Sequence, residues 1–347
     1  MKNIPLRFIM SAIIIFLLVW WGFQLAEAKD IPLVSPVQQG QKKAVTGTWT
    51  LQKELSLPGN TLYDVWGSGA NDVFAVGEDR KARSIILHYN GKSWTPMKSY
   101  ATCLYGVWGS GTNNVFAVGY KAGSGSIILH YNGHTWTPMT YGTSKKLFIL
   151  CDVWGSGAND VFAVGGDRNG PARILHYDGN YWSNMSYNSN DLFGKIWGSG
   201  HTNVFAIGYI SSGESSLIEY NGKKWATKNY YTPNYKTLIR ILAIWGSGAN
   251  DVFAVGYGTI LHYNGSKWTP MSSGINKELN AIWGSNAKDV FAVGESGTIL
   301  HYNGNKWTTM SSGTNKDLKA IWGSGPDDIF AVGSDGTVLR YSSKLKK

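Results

Sequence analysis

Cysteine is nearly absent from this chain: Cys103 and Cys151 are the only two in 347 residues. Any disulfide question therefore reduces to one pair. The two thiols sit five and three residues before a Trp-Gly pair in neighbouring copies of a repeat, so their offsets differ. A bridge needs Cα atoms within about 7 Å, and the reading from sequence is two buried free thiols. Charge is scarce too, at 16% of residues, and carboxylates number only 22. No nucleophile elbow, HExxH pair, phosphate-binding loop or Cys–His arrangement occurs, so the usual signatures of hydrolases, metalloproteases and nucleotide binders are missing. No cofactor and no metal are expected. Long apolar runs are lacking after the first 28 residues. The abundant types are aromatics, at 14% with 16 Trp, and 43 Gly, an all-β composition rich in short strands and tight turns.

The one long apolar run is Phe8–Leu25, preceded by Lys2 and Arg7 and followed by Ala26-Glu27-Ala28. A charged start, an apolar middle and a small-x-small end predict a cleaved signal peptide over residues 1–28. An uncleaved membrane anchor through residues 8–25 is the alternative. Either reading places the remainder outside the cytoplasmic membrane: periplasmic, cell-surface or extracellular. Residues 29–46 read as a polar linker and 344–347 as a basic tail. Loss of Lys2, Arg7 and Glu27 takes the formal charge from +10 to +9, so anionic glycans, phosphate-rich envelope polymers or a membrane surface are suitable partners. The lysines are spread through loops rather than packed in runs, and a nucleic-acid partner is not expected.

Between these ends one phrase recurs seven times, from VWGSGANDVFAVG at Val65–Gly77 to IWGSGPDDIFAVG at Ile321–Gly333. Its Trp-Gly pairs begin at Trp66, Trp108, Trp154, Trp197, Trp245, Trp283 and Trp322, spaced by 38 to 48 residues. Such a period marks stacked units that cannot bury their apolar faces alone. Leu279–Gly313 shows four apolar segments: LNAIW, DVFAVG, TILHY and KWTTM. Asn-Gly or Asp-Gly joins the last two segments in most copies, the strongest short hairpin signal because both turn positions need positive φ. Four antiparallel strands per 40–45 residues predict a propeller blade. The last copy lacks a fourth strand, whereas Thr48-Trp49-Thr50 precedes the first copy unpaired. The expectation is a seven-bladed β-propeller over 47–343, monomeric, closed by the strand around Trp49 completing the last blade.

Residues present in every copy have scaffold reasons. The aspartates before the second strand (Asp72, Asp160, Asp251, Asp289, Asp328) are expected to accept backbone N–H bonds in a turn. Gly77 and its equivalents are expected to pack tightly on the next blade. His88, His130, His176, His262 and His301 share one third-strand position far from the axis, where they cannot converge on one ion, and read as structural hydrogen-bonders.

Exceptions to the repeat therefore carry the functional expectation. Loops between second and third strands, and the connections between blades, are long in blades 1–4 and short in blades 5–7, all on one face of the disc. They supply candidate ligand-binding residues Arg80, Arg83, Tyr120, Lys121, Tyr141, Lys145, Lys146, Arg168, Arg173, Tyr187, Tyr209, Tyr230, Tyr231, Tyr235 and Lys236. Innermost strands place Asp64, Asp152 and Lys195 beside the central channel, where other copies carry Gly106, Ala243, Ala281 and Ala320.

The phrase WGSGxxDVFAVG followed by TILHYNGxxW resembles the tandem-repeat propellers found in exported bacterial proteins, over residues 47–341. TILHYNGNKWTTM is also similar to the end of a kelch repeat, although the kelch Gly-Gly pair stands only at Gly165-Gly166. The Gly-x-x-Trp ending is similar to the repeats of sialidase-like propellers, without their Asp and Ser, so sialidase chemistry is not implied. The resemblance implies the fold and an exported compartment. The function expected is a non-catalytic exported binder of an envelope glycan or protein. The alternatives are a polysaccharide hydrolase or lyase with a channel-mouth site, and an architectural subunit or assembly factor of a surface complex.

Overall fold

The computed structural model describes residues 47–52, 59–141, 148–167, 171–185, 187–209, 215–228 and 240–343; the segments 1–28, 29–46 and 344–347 lie outside them. Seven four-stranded antiparallel sheets form the ring of a β-propeller. The innermost strands are Thr61–Gly69, Cys103–Gly111, Ile149–Gly157, Leu192–Gly200, Ile241–Gly248, Leu279–Asn286 and Leu318–Gly325, for blades 1 to 7 in order. In blade 7 the outer strand is Gly47–Leu51, paired antiparallel with Val338–Ser343 through Trp49 opposite Tyr341. The N-terminal strand thus closes the ring, leaving no blade with a missing edge.

The apolar second strand is buried on both faces because each blade lies between two others. Val73, Phe74, Ala75 and Val76 are wholly inaccessible, and so are their equivalents in the next blade, Val115–Val118. The core is a series of inter-blade layers. Phe74 of blade 1, for example, packs with Val107, Tyr131 and Trp136 of blade 2. Outer-strand Trp and second-strand Phe of the preceding blade meet nearly perpendicular, as in Trp136 on Phe74 at 5.8 Å and 86°. The seven outer Trp indole N–H groups are buried without a hydrogen-bond acceptor.

The Trp-Gly pair has a cross-blade reason. A Cβ added to Gly109 would lie 2.6 Å from the Trp66 ring, and the same distance separates Gly155 from Trp108 and Gly198 from Trp154. The series closes on itself, with Trp322 of blade 7 against Gly67 of blade 1. Each innermost Trp covers the glycine of the following blade. Gly77 does a different job from the one expected: a Cβ there would strike the carbonyl of Thr61 in its own blade, and Gly119, Gly165, Gly256, Gly294 and Gly333 repeat that contact.

The recurring aspartates also differ from expectation, because they take side-chain donors rather than turn N–H groups. The Ser68 hydroxyl donates to Asp72 Oδ2, and His88 Nε2 lies 2.6 Å from Asp72 Oδ1. The Ser–Asp–His chain recurs in blades 3, 5 and 6, through Asp160, Asp251 and Asp289. Blade 2 substitutes Asn114, blade 4 uses Asn203 with Glu219 and Lys228, and blade 7 uses Arg340 on Asp328. A nucleophile relay needs histidine between serine and carboxylate. Here the carboxylate is in the middle, so the chain staples strands and does not activate the serine.

Candidate functional site

Every innermost strand carries a β-bulge at the same place, three residues before its Trp. The residues at the bulge are Tyr63, Tyr105, Cys151, Gly194, Leu242, Asn280 and Lys319, six residue types at seven positions beside a recurring phrase. A bulge breaks the alternation of faces and re-aims the side chains around it. The bulges lie toward the end of the strand where Thr61 pairs with Glu78, which is the face bearing the second-to-third-strand loops.

Just inside the bulges, Asp64, Asp152 and Lys195 line one side of the central channel, and Ala243, Ala281 and Ala320 line the other. The channel cavity here has a volume of about 160 Å³, with Ile244, Ile282 and Ile321 and the rings of Trp154, Trp197, Trp245 and Trp283 completing its wall. Asp64 accepts N–H bonds from Val65 at 2.9 Å and, across the blade boundary, from Val107 at 2.8 Å. Asp152 repeats this with Val153 and Ile196, both at 3.0 Å. Gly106 makes room for the second aspartate, since a Cβ there would come within 3.0 Å of the Asp152 carboxylate. Lys195 Nζ stands 3.8 Å from Asp152 Oδ2. Burial pushes the Asp64 carboxyl up to about 7, eased by Lys195 and reinforced by Asp152. Burial alone would depress the Lys195 ammonium, but Asp152 and Asp64 outweigh it and lift the group above its ordinary value.

Toward the loop face a second polar shell surrounds the mouth. Tyr63 donates to Glu78 Oε1 at 2.8 Å, and its ring lies 5.4 Å from that of Tyr105. Burial raises both phenols, and it raises the neighbouring Cys103 thiol with help from Glu78. Cys103 and Cys151 are free; burial pushes the Cys151 thiol up to about 12, so both are protonated at neutral pH. Opposite, Arg240 and Glu278 occupy one position in successive blades, 3.7 Å apart. Tyr209 covers Gly194, whose missing side chain leaves space for its ring.

The loop candidates divide. Arg80 lies over Gly59 at the ring closure, and Arg83 is exposed and paired with Asp79 at 2.6 Å. Tyr120 is half-buried opposite Cys103 and Lys121 is exposed. Tyr141 bonds the Ser126 carbonyl at 2.6 Å and packs on Phe148, while Tyr187 packs on Phe193; both serve inter-blade layers. Arg173 lies over the Phe148 ring at 5.3 Å. Lys145, Lys146, Arg168, Tyr230, Tyr231, Tyr235 and Lys236 lie outside the described residues.

Sequence reasoning named the charged channel residues but passed over Tyr63, Glu78, Tyr105, Arg240 and Glu278. The available signal was variation at one column beside an invariant phrase. It also passed over a recess of about 600 Å³ at the loop end of blade 6, lined by Lys277 and Asn315 with the hydroxyls of Ser296, Thr298, Thr309 and Ser312. Short, uniform loops there gave no cue.

No protein-family model matches the chain, and no curated protein matches it. Solved propellers match it in shape. YCF48 bound to D1 peptide superposes with a TM-score of 0.67 at 16% identity, covering 85% of this chain and 97% of that one. YCF48 from Cyanidioschyzon merolae gives 0.65 at 16% identity, over 85% and 98% of the two chains. The WD40 propeller domain of Doa1 gives 0.63 at 12% identity, over 86% and 98%. At such identities the likeness is one of fold.

Proposed function

We propose that this chain is an exported, non-catalytic propeller that binds a protein or glycan partner of the cell envelope through its loop face, centred on the channel mouth. One observation carries this reading. The recurring Ser, Asp and His side chains are partnered with one another, whereas the departures from the repeat gather at one end of the channel. Tyr63, Tyr105, Glu78, Arg240 and Glu278 there supply rings, carboxylates and a guanidinium, a chemistry suited to peptide recognition. The neighbour solved with a D1 peptide supports a polypeptide over a glycan. Asp64 and Asp152 are each held by two backbone N–H groups, across blades 1–2 and 3–4, which suits them to a role as fixed recognition charges.

Cross-linked capture from envelope extract, beside a glycan array, tests the reading. Arg240→Ala and Tyr105→Ala are expected to lose the captured partner, whereas Lys92→Ala, on the opposite face, keeps it. Equal loss with Lys92→Ala, or no loss with the mouth variants, removes the proposed surface.

A further inference from the structure

The central channel is chemically lopsided. Blades 1, 3 and 4 contribute two carboxylates and one ammonium, and blades 5 to 7 contribute alanine and isoleucine. Lys195 stands nearest Asp152, at 3.8 Å, and reaches Asp64 only through the longer-range field, so Asp64 has no cation in ion-pair contact among the described residues. Its two oxygens each accept one backbone N–H, at 2.9 and 2.8 Å, and each retains a second lone pair. The cavity is about 160 Å³, and a protein cavity of about 150 Å³ is large enough to bind benzene. It is too small for an oligosaccharide and suited to one side chain.

We infer that the channel is a socket for one cationic side chain, a lysine or arginine whose apolar stem lies along Ala243, Ala281 and Ala320 and whose head pairs with Asp64. Net charge decides for a cation over an anion once Asp64 is ionised: two aspartates and one lysine repel an entering carboxylate and attract an entering ammonium. The indole rings of Trp197 and Trp245 in the wall are further suited to a cation. That a partner protein supplies the side chain rests on the binding role proposed above; that the channel takes a cation with an apolar stem does not.

The groups facing Asp64 are Asp152 and Lys195, with the N–H groups of Val65 and Val107. Burial raises both acids, Asp64 to about 7, so its protonation at lower pH removes the head's partner.

The test uses n-butylammonium as probe on the whole protein, followed by the indole N–H signals in NMR. Saturable shifts of the channel tryptophans at pH 8, weakening about tenfold by pH 6, are expected, with sodium butyrate producing none. Asp64→Asn should weaken the probe at least tenfold, and Lys195→Met should tighten it severalfold. If Asp64→Asn does not fold, Lys195→Met and the pH profile decide. Absence of saturable binding, equal binding of butyrate, pH-independent affinity, or unchanged affinity in Lys195→Met would overturn the inference. A positive probe result alongside failed capture of a partner would keep the socket and discard the proposed role.

Discussion

Two glycines of one phrase have opposite tolerances. Gly109 lies under Trp66 at 2.6 Å from a would-be Cβ, whereas nothing lies within 4 Å of Gly111. Gly109→Ala is therefore expected to cost about 1–3 kcal/mol by overpacking, and Gly111→Ala nothing measurable, in denaturant titrations. Two aspartates likewise have opposite pH signatures. Burial opposes ionisation of Asp160, but hydrogen bonds from Ser156, His176 and His201 outweigh it and hold the carboxyl below its ordinary value. Its contribution to stability is present above the ordinary carboxyl pKa of about 3.9 and is lost as pH falls through the lower folded value. Asp64 is raised to about 7, so its contribution is complete below about 4 and is lost as pH rises through 7. Melting profiles should separate them. Asp160→Asn flattens the acid limb, and Asp64→Asn flattens the decline between pH 4 and 8; an unchanged profile in either variant contradicts the assignment.

At the scale of the blade, the outer strand is the weakest element, only three residues long in blades 1 to 4. It is held by its buried Trp, whose N–H has no acceptor. Trp136→Ala should cost about 3–5 kcal/mol, and Trp136→Phe less than half of that, because phenylalanine restores aromatic contact and removes the unsatisfied donor. Equal losses would mean that the N–H finds a partner. Blade 7 differs in that its outer strand comes from the other end of the chain. Trp49→Ala should therefore release hydrogen-exchange protection first along Val338–Ser343, its sole strand partner.

For the whole ring, the closure geometry makes a sharp prediction. In blade 1 four residues, 90–93, separate Tyr89 from Trp94 across the hairpin. In blade 7 Tyr341 faces Trp49, and the residues between them would be 342, 343, 47 and 48, again four. Direct fusion of Ser343 to Gly47 should thus form a hairpin of natural length. A permutant made this way, starting at Ile275 and ending at Gly274, where a Cβ would meet nothing within 4 Å, is expected to fold with a Tm within a few degrees of the parent. Failure of the permutant to fold would mean that residues before 47 take part in closing the ring.

Strand number, blade number and closure were legible in the sequence, because they follow from local patterns repeated in register: alternating apolar runs, Asn-Gly turns and an unpaired Trp49. Placement of Asp64, Asp152 and Lys195 beside the channel followed from counting back from each Trp. The rest depended on contacts between blades. Gly67 is a glycine on account of Trp322, about 255 residues away in sequence but adjacent in the ring. Asp72 serves a serine and a histidine that no spacing rule pairs. The bulge that brings Tyr63, Tyr105 and Cys151 to the mouth is a slip in strand pairing, and pairing is a property of two strands. The sequence by itself determined the unit and the number of copies. Only the closed ring decided which exceptions to the unit would meet, because equivalent positions converge only around a shared axis.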